Sequence, residues 1–280
     1  MLFPENIGAF ISIDEVALSQ GELFTFVTNK QGKGKKGSLI ASIKGTKAKD
    51  ISKVLAGIPI DKRRLVKEVT LDMAKNMEAA MIHSFPNSSI VTDRFHVVKL
   101  VIEALQNLRV QYRWKEIAEE NKVLELKKKG IAYSPIILSN GDTFKQLLAR
   151  SRYLLSKDAK KWTDNQKERA IILFQNFPEI KKMYNHVMKF RNIYENTSKV
   201  IAKTQFNDWV AKTKELKVEE FNSTANSIIY HLDNILNFFD NRNTNANAES
   251  FNAKIKLFRA NLRGVTDPTF FLFRLMNLFA

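Results

Sequence analysis

Two short β-branched runs, each closed by an aspartate, do most to limit what this chain can fold into. Val69-Thr70-Leu71 leads into Asp72, and Ser89-Ile90-Val91-Thr92 leads into Asp93, with a helical run and Phe85-Pro86 between them. A strand that is apolar until its end and acidic there places a carboxylate at the carboxyl edge of a sheet, where open α/β sheets carry their chemistry. Ala9-Phe10-Ile11-Ser12-Ile13-Asp14 has the same form.

The remaining pattern builds a sheet around these runs. Glu22–Lys30 and Ser38–Lys44 are β-rich and are joined by the basic turn Gln31-Gly32-Lys33-Gly34-Lys35-Lys36-Gly37, which predicts an antiparallel meander with a flexible connection. Lys47–Ala56 reads as a helix stopped by Gly57, Arg64–Leu71 as a strand, Ala74–Ser84 as a helix and Ser89–Thr92 as the fifth strand. The expected order is β-β-β-α-β-α-β, which places the fourth strand beside the first.

From Phe95 the period changes. Val97, Val98, Val101, Ile102, Leu105 and Leu108 recur at helical spacing, in a helix expected to run to Lys129. A loop with Pro135 follows, and Asp142 and Thr163 are the expected caps of two further helices, with Pro178 opening another. The block from about 108 to 240 has almost no strand signal and reads as an all-helical insertion. After the polar stretch Asp240–Asn247, Ala248–Leu262 is a basic amphipathic helix that Gly264 ends, and Pro268–Leu278 is a last apolar helix.

Charge narrows the partner. Lysine and arginine outnumber the acids by 45 to 29, a formal charge of +16, which favours a polyanion such as nucleic acid. A hydrophobic share of 44% supports a sizeable core, and no apolar run approaches the length of a membrane span. The absence of cysteine rules out disulfides and thiolate metal sites and is compatible with a reducing compartment.

Three acids stand where divalent metal could be held for phosphodiester chemistry: Asp14, Asp72 and Glu249, the last opening the helix that follows the insertion. Mg²⁺ or Mn²⁺ takes hard oxygen ligands, and a pair of such ions can steady both oxygens of an in-line displacement. Each acid also has a plain structural reading: Asp14 as a strand terminus, Asp72 as a helix cap, Glu249 as a first-turn acid matched to the helix dipole. Glu15 neighbours Asp14 on a strand and so faces the other way. Asp93-Arg94-Phe95-His96 is either a helix start or an accessory pair, Asp93 and His96, beside the site. Lys254, Lys256, Arg259 and Arg263, with Arg94 and Arg152, are candidate phosphate contacts. His83, His186 and His231 show no ligand spacing. Trp114, Trp162 and Trp209 are expected to pack, Trp162 beside Lys160 and Lys161 having base stacking as its alternative. No P-loop and no serine or cysteine nucleophile arrangement is present.

Val-Thr-Leu-Asp-Met around Asp72, Phe-Pro-Asn-Ser-Ser-Ile-Val-Thr-Asp-Arg-Phe-His-Val-Val-Lys through His96, Ser-Arg-Tyr-Leu-Leu at Arg152, and Asn-Ala-Glu-Ser-Phe-Asn-Ala-Lys-Ile-Lys at Glu249 follow one another in order. The combination resembles the DDE-type insertion-sequence transposases of bacteria, specifically the insertion-sequence L-three group, related to the mutator-like transposases. The resemblance implies an α/β ribonuclease-H-like core in residues 1–107 and 241–280, interrupted by the helical insertion 108–240. It implies a metal triad of Asp14, Asp72 and Glu249, with Asp93 and His96 matching the family's acid-x-x-His signature. Double-stranded DNA, as element ends and target, is the implied partner, with a homo-oligomer assembled on DNA, Mg²⁺ or Mn²⁺ as cofactor and a bacterial cytoplasmic setting. Relatives carry an amino-terminal zinc-binding and helix-turn-helix module, so this chain is expected to be the catalytic part alone. The alternatives are a nuclease of the same fold and an inactive DNA-binding remnant.

Overall fold

The computed structural model describes residues 1–17, 23–128, 130, 135–242, 246–261 and 267–280; the side chains at 126–127, 246–249 and 268 are outside the description. By its internal contacts the chain divides into two compact units, Met1–Val97 with His231–Ala280, and Val98–Tyr230. Both divisions fall somewhat earlier in the chain than the edges of the insertion read from the sequence.

The first unit is a mixed α/β structure. Its strands are β1 (Phe10–Ala17), β2 (Leu23–Asn29), β3 (Leu39–Lys44), then, after helices α1 (Ala48–Leu55) and α2 (Ile60–Arg64), β4 (Glu68–Leu71), helix α3 (Lys75–Ser84) and β5 (Ser89–Thr92). They form one five-stranded sheet in the order β3-β2-β1-β4-β5. The first three strands are antiparallel, whereas β4 runs parallel to β1 and β5 parallel to β4. This order is compatible with a ribonuclease-H-like fold.

Strand alternation explains the layers. Ile11 and Ile13 of β1, with Val69 and Leu71 of β4, pack on Ile51 and Leu55 of α1 and on Met77, Ala80 and Met81 of α3. Val16, Phe24, Phe26 and Leu39 face the other way, onto Phe251, Ile255, Phe271 and Leu275 from the chain's last two helices. Full burial of side chains this large contributes roughly 1.5–3 kcal/mol each. The sheet is therefore covered on both faces, and polar groups on it are confined to specific positions.

Two expected elements differ. The run expected as a strand from Arg64 begins only at Glu68, because Pro59 starts a short helix over Ile60–Arg64. Arg63 fixes that helix by donating to the carbonyls of Ile58 (3.0 Å) and Ser84 (3.1 Å). Likewise Asp14 does not end its strand, because β1 continues to Ala17 along β2.

Helix α4 (Arg94–Lys128) begins in the first unit and continues into the second. All regular elements described in the second unit are helical: α5 (Phe144–Arg150), α6 (Arg152–Leu155), α7 (Asp164–Asn176), α8 (Pro178–Ile193), α9 (Lys199–Leu216) and α10 (Asn222–Tyr230). Thr143 and Thr163 each close a capping box, with Gln146 and Gln166. Asp142 is thus not the cap expected of it. Its carboxylate is buried and takes Arg150 and Arg169 instead. The core of this unit is aromatic: Phe190, Tyr194, Phe206 and Trp209 pack in edge and tilted pairs. Trp162 packs on Phe174 and Tyr184 and donates to the Leu154 carbonyl at 2.8 Å, a packing role in place of base stacking. Trp114 is 64% exposed, contrary to the expected burial, because it lies on the outward side of a long helix.

The chain then returns to the first unit through α11 (Leu232–Leu236), α12 (Phe238–Asn241), α13 (Ala246–Asn261) and α14 (Pro268–Phe279). Side-chain amides fasten this return. Asn234 donates to Glu78 of α3 (2.7 Å), Asn237 to the Ile90 carbonyl of β5 (2.9 Å) and Asn241 to Glu68 of β4 (3.1 Å). Among the described residues no helix is long and apolar enough to cross a membrane.

Candidate active site

Strand register brings the first two acids together. Phe10 pairs with Glu68 and Ser12 with Thr70 in the parallel β1–β4 ladder. Asp14 follows Ser12 on the face opposite the one that Ile11 and Ile13 give to the core, and Asp72, just past the end of β4, lies near enough for its charge to act on Asp14. Asp72 is the first residue after β4, and its Oδ1 accepts from the Ala74 N–H at 2.8 Å. That bond fixes the carboxylate at the sheet edge while α3 is left without a side-chain cap.

The electrostatics match this placement. Burial pushes the Asp14 carboxyl above its usual range, and the charge of Asp72 pushes in the same direction. The Glu15 N–H, the His96 side chain and the amide of Asn252 oppose the rise. Glu15 is raised too, by burial and then by Asp72 and Asp14. Three carboxylates therefore feel one another. Among the described residues neither Asp14 nor Asp72 forms an ion pair with lysine or arginine. Asp14 is held by amides: its Oδ1 accepts from Glu15 N–H at 2.8 Å and its Oδ2 from Asn252 Nδ2 at 2.5 Å.

Asn252 was not singled out from sequence. It lies on α13, three residues after Glu249, a spacing that places two helix residues on one face. The pattern Glu-x-x-Asn was the available signal. The Glu249 side chain lies outside the described residues, as does Arg263 entirely. Among the described side chains no group of three or more acids or histidines could hold a metal ion.

Asp93 has different company. Its N–H donates to the Leu71 carbonyl at 2.8 Å, tying the start of α4 to the end of β4. Its carboxylate is buried, 3.9 Å from His96 Nε2, and its charge acts on Lys30. Lys30 is itself buried, donating to Glu68 at 3.0 Å and to Thr70. Burial lowers the Lys30 ammonium, and Glu68 and then Asp93 draw it back up. Asp93 thus has a histidine beside it and its charge acts on a buried lysine, whereas the charge of Asp72 acts on two other carboxylates.

Of the expected phosphate contacts, Arg94 opens α4 and is half-buried, Lys256 is exposed on α13, and Arg259 lies over the Phe271 ring at 5.2 Å. Lys254 donates to the Gly34 carbonyl at 2.8 Å, so its ammonium is engaged within the fold. Arg152 is exposed and belongs to the second unit. His186 and His231 are buried structural groups, bonded to Thr213 at 2.7 Å and paired with Glu78 at 3.5 Å, and His83 is exposed.

Residues 11–275, nearly the whole chain, match a family model for DDE transposases of the insertion-sequence L-three type. The chain belongs to that transposase family. No curated protein matches it. The family match covers Asp14, Asp72 and the helix that carries Asn252, and it makes this a DNA transposase.

Proposed function

We propose that Asp14, Asp72 and Glu249 form the metal-holding triad of this transposase, on a ribonuclease-H-like core interrupted by a helical insertion, and that the site cuts and rejoins double-stranded DNA. The juxtaposition of Asp14 and Asp72 carries the reading. Both are hard oxygen donors, Asp14 within β1 and Asp72 just past the end of the neighbouring β4, and their mutual repulsion is of the kind a divalent cation relieves. Glu249 joins them because α13 docks Asn252 directly on Asp14, one helical turn further along.

Mg²⁺ or Mn²⁺ held by these acids would supply Lewis-acid charge to the attacking and leaving oxygens of a phosphodiester displacement. The protein's own residues do the rest. Asn252 and the Glu15 N–H orient the two oxygens of Asp14, and the Ala74 N–H orients Asp72. Asp93 and His96 are accessory, setting the start of α4 beside the acids. Arg94, Lys256, Arg259 and Arg263, with Arg152, are proposed to meet the DNA backbone. Element ends and target are the two substrates, and the working form is a homo-oligomer on DNA in the bacterial cytoplasm.

Incubation with pre-nicked element ends, supercoiled plasmid and Mn²⁺ tests this. Joined products lost in Asp72→Asn are expected. Hydrolysis alone would reduce the protein to a nuclease of the same fold, and no Mn²⁺-dependent product would overturn the enzymatic reading.

A further inference from the structure

The turn between β2 and β3 is a built cationic element. The segment between Glu22 and Asp50 holds seven lysines and no acid. The connection expected to be flexible is closed by hydrogen bonds: Asn29 Oδ1 accepts from Gln31 N–H (3.0 Å), Lys35 N–H donates to the Gly32 carbonyl (3.0 Å), and Ser38 N–H donates to Lys35 (3.1 Å). Lys33 adopts a left-handed conformation at φ 50° and Gly34 follows at φ 66°. The positive φ at Gly34 favours glycine, and a Cβ there would lie 3.1 Å from Lys254 Nζ, the mobile end of the tether from α13.

Its lysines divide by direction. Lys30 turns inward to Glu68, whereas Lys33, Lys35 and Lys36 are exposed. Among the described residues these three form no ion pair. Other exposed lysines do: Lys122 with Glu119, Lys167 with Asp164 and Lys212 with Glu215. Three like charges crowded on an ordered turn repel one another unless a polyanion lies across them. Within three consecutive residues, α13 reaches both Asp14 through Asn252 and the turn through Lys254.

We propose that Lys33, Lys35 and Lys36 form a phosphate-binding element for duplex DNA passing the acid pair, with Lys254 as its tether and not itself a phosphate contact. The proposal rests on the DNA-cutting role given above. It is tested by titrating a short fluorescein-labelled duplex, without metal, into the full chain and into the triple variant Lys33→Ala/Lys35→Ala/Lys36→Ala. Affinity should fall roughly tenfold at moderate salt, and the log–log salt slope should become shallower by up to about three. The triple arginine variant should restore both, and melting temperature should stay level because the three side chains are exposed. Unchanged affinity and slope would overturn the proposal. Mn²⁺-dependent nicking by the wild type, scored separately, keeps the two readings apart: normal nicking with no binding defect in the variant sinks the lysine element alone.

Discussion

Asp142 in the helical unit and Asp14 in the α/β unit are both withdrawn from water, yet they are treated in opposite ways. Asp142 has no exposed surface and is neutralised by two arginines, one on the helix it precedes and one on α7. Asp14 receives amide donors and faces other acids. A buried carboxylate with its cations in place does structural work, since removing it leaves arginines uncompensated. A carboxylate pair left without lysine or arginine is poised for a cation from outside. The same distinction, applied within the α/β unit, separates Glu68, paired with Lys30, from Asp72.

Exchanging the acids gives the largest contrast. Asp72→Asn should cut Mn²⁺-dependent nicking about a thousandfold or more, several kcal/mol of transition-state stabilisation, with melting temperature nearly unchanged. Asp142→Asn should instead lower stability by about 2–3 kcal/mol, less than for a fully sealed pair because Arg150 is exposed, and affect nicking only through folding. Equal behaviour of the two variants would erase the comparison.

A second contrast is in pH. His186 is buried against Trp209 and is pushed down to about 4 by burial, with Lys189 and Lys212 adding to the shift. Its unfolded value is higher, so the unfolded chain binds the extra proton between the two. Stability should therefore fall as pH drops from about 6.5 toward 4, by up to about 3 kcal/mol, and level off below. Denaturant melts across that range should show a flatter profile in His186→Gln.

Smaller still, Asn252→Ala should weaken Mn²⁺ binding about 10–100-fold while the structure stays folded, as expected for a group that orients a ligand. Calorimetric affinities that match the wild type would reduce the Asn252–Asp14 bond to packing. Trp114→Ala should change stability by no more than about 0.5 kcal/mol, because that ring is mostly in solvent.

Much of the α/β unit was legible because its strands are buried on both faces and read as apolar runs; Ser89–Thr92 falls where expected. What the runs do not carry is where pairing stops. β1 outlasts Asp14 because β2 supplies partners through Leu23, and β4 starts late because the chain before it is held in the short helix Ile60–Arg64. Asp142 and Thr143 are both good caps, and the choice was made by two arginines, one of them 27 residues away. The division between units falls inside α4, where helical periodicity runs on without a break. Asp14 and Asp72 could be paired from topology alone. Asn252 needed the docking of α13, a contact between residues 238 positions apart.

The proposed cation holder beside Asp14 is Asp72, not Asp93. Mn²⁺ titration calorimetry on the wild type, Asp72→Asn and Asp93→Asn tests it most directly. Binding should be lost in Asp72→Asn and kept within a few-fold in Asp93→Asn; loss in Asp93→Asn with binding retained in Asp72→Asn would contradict the account.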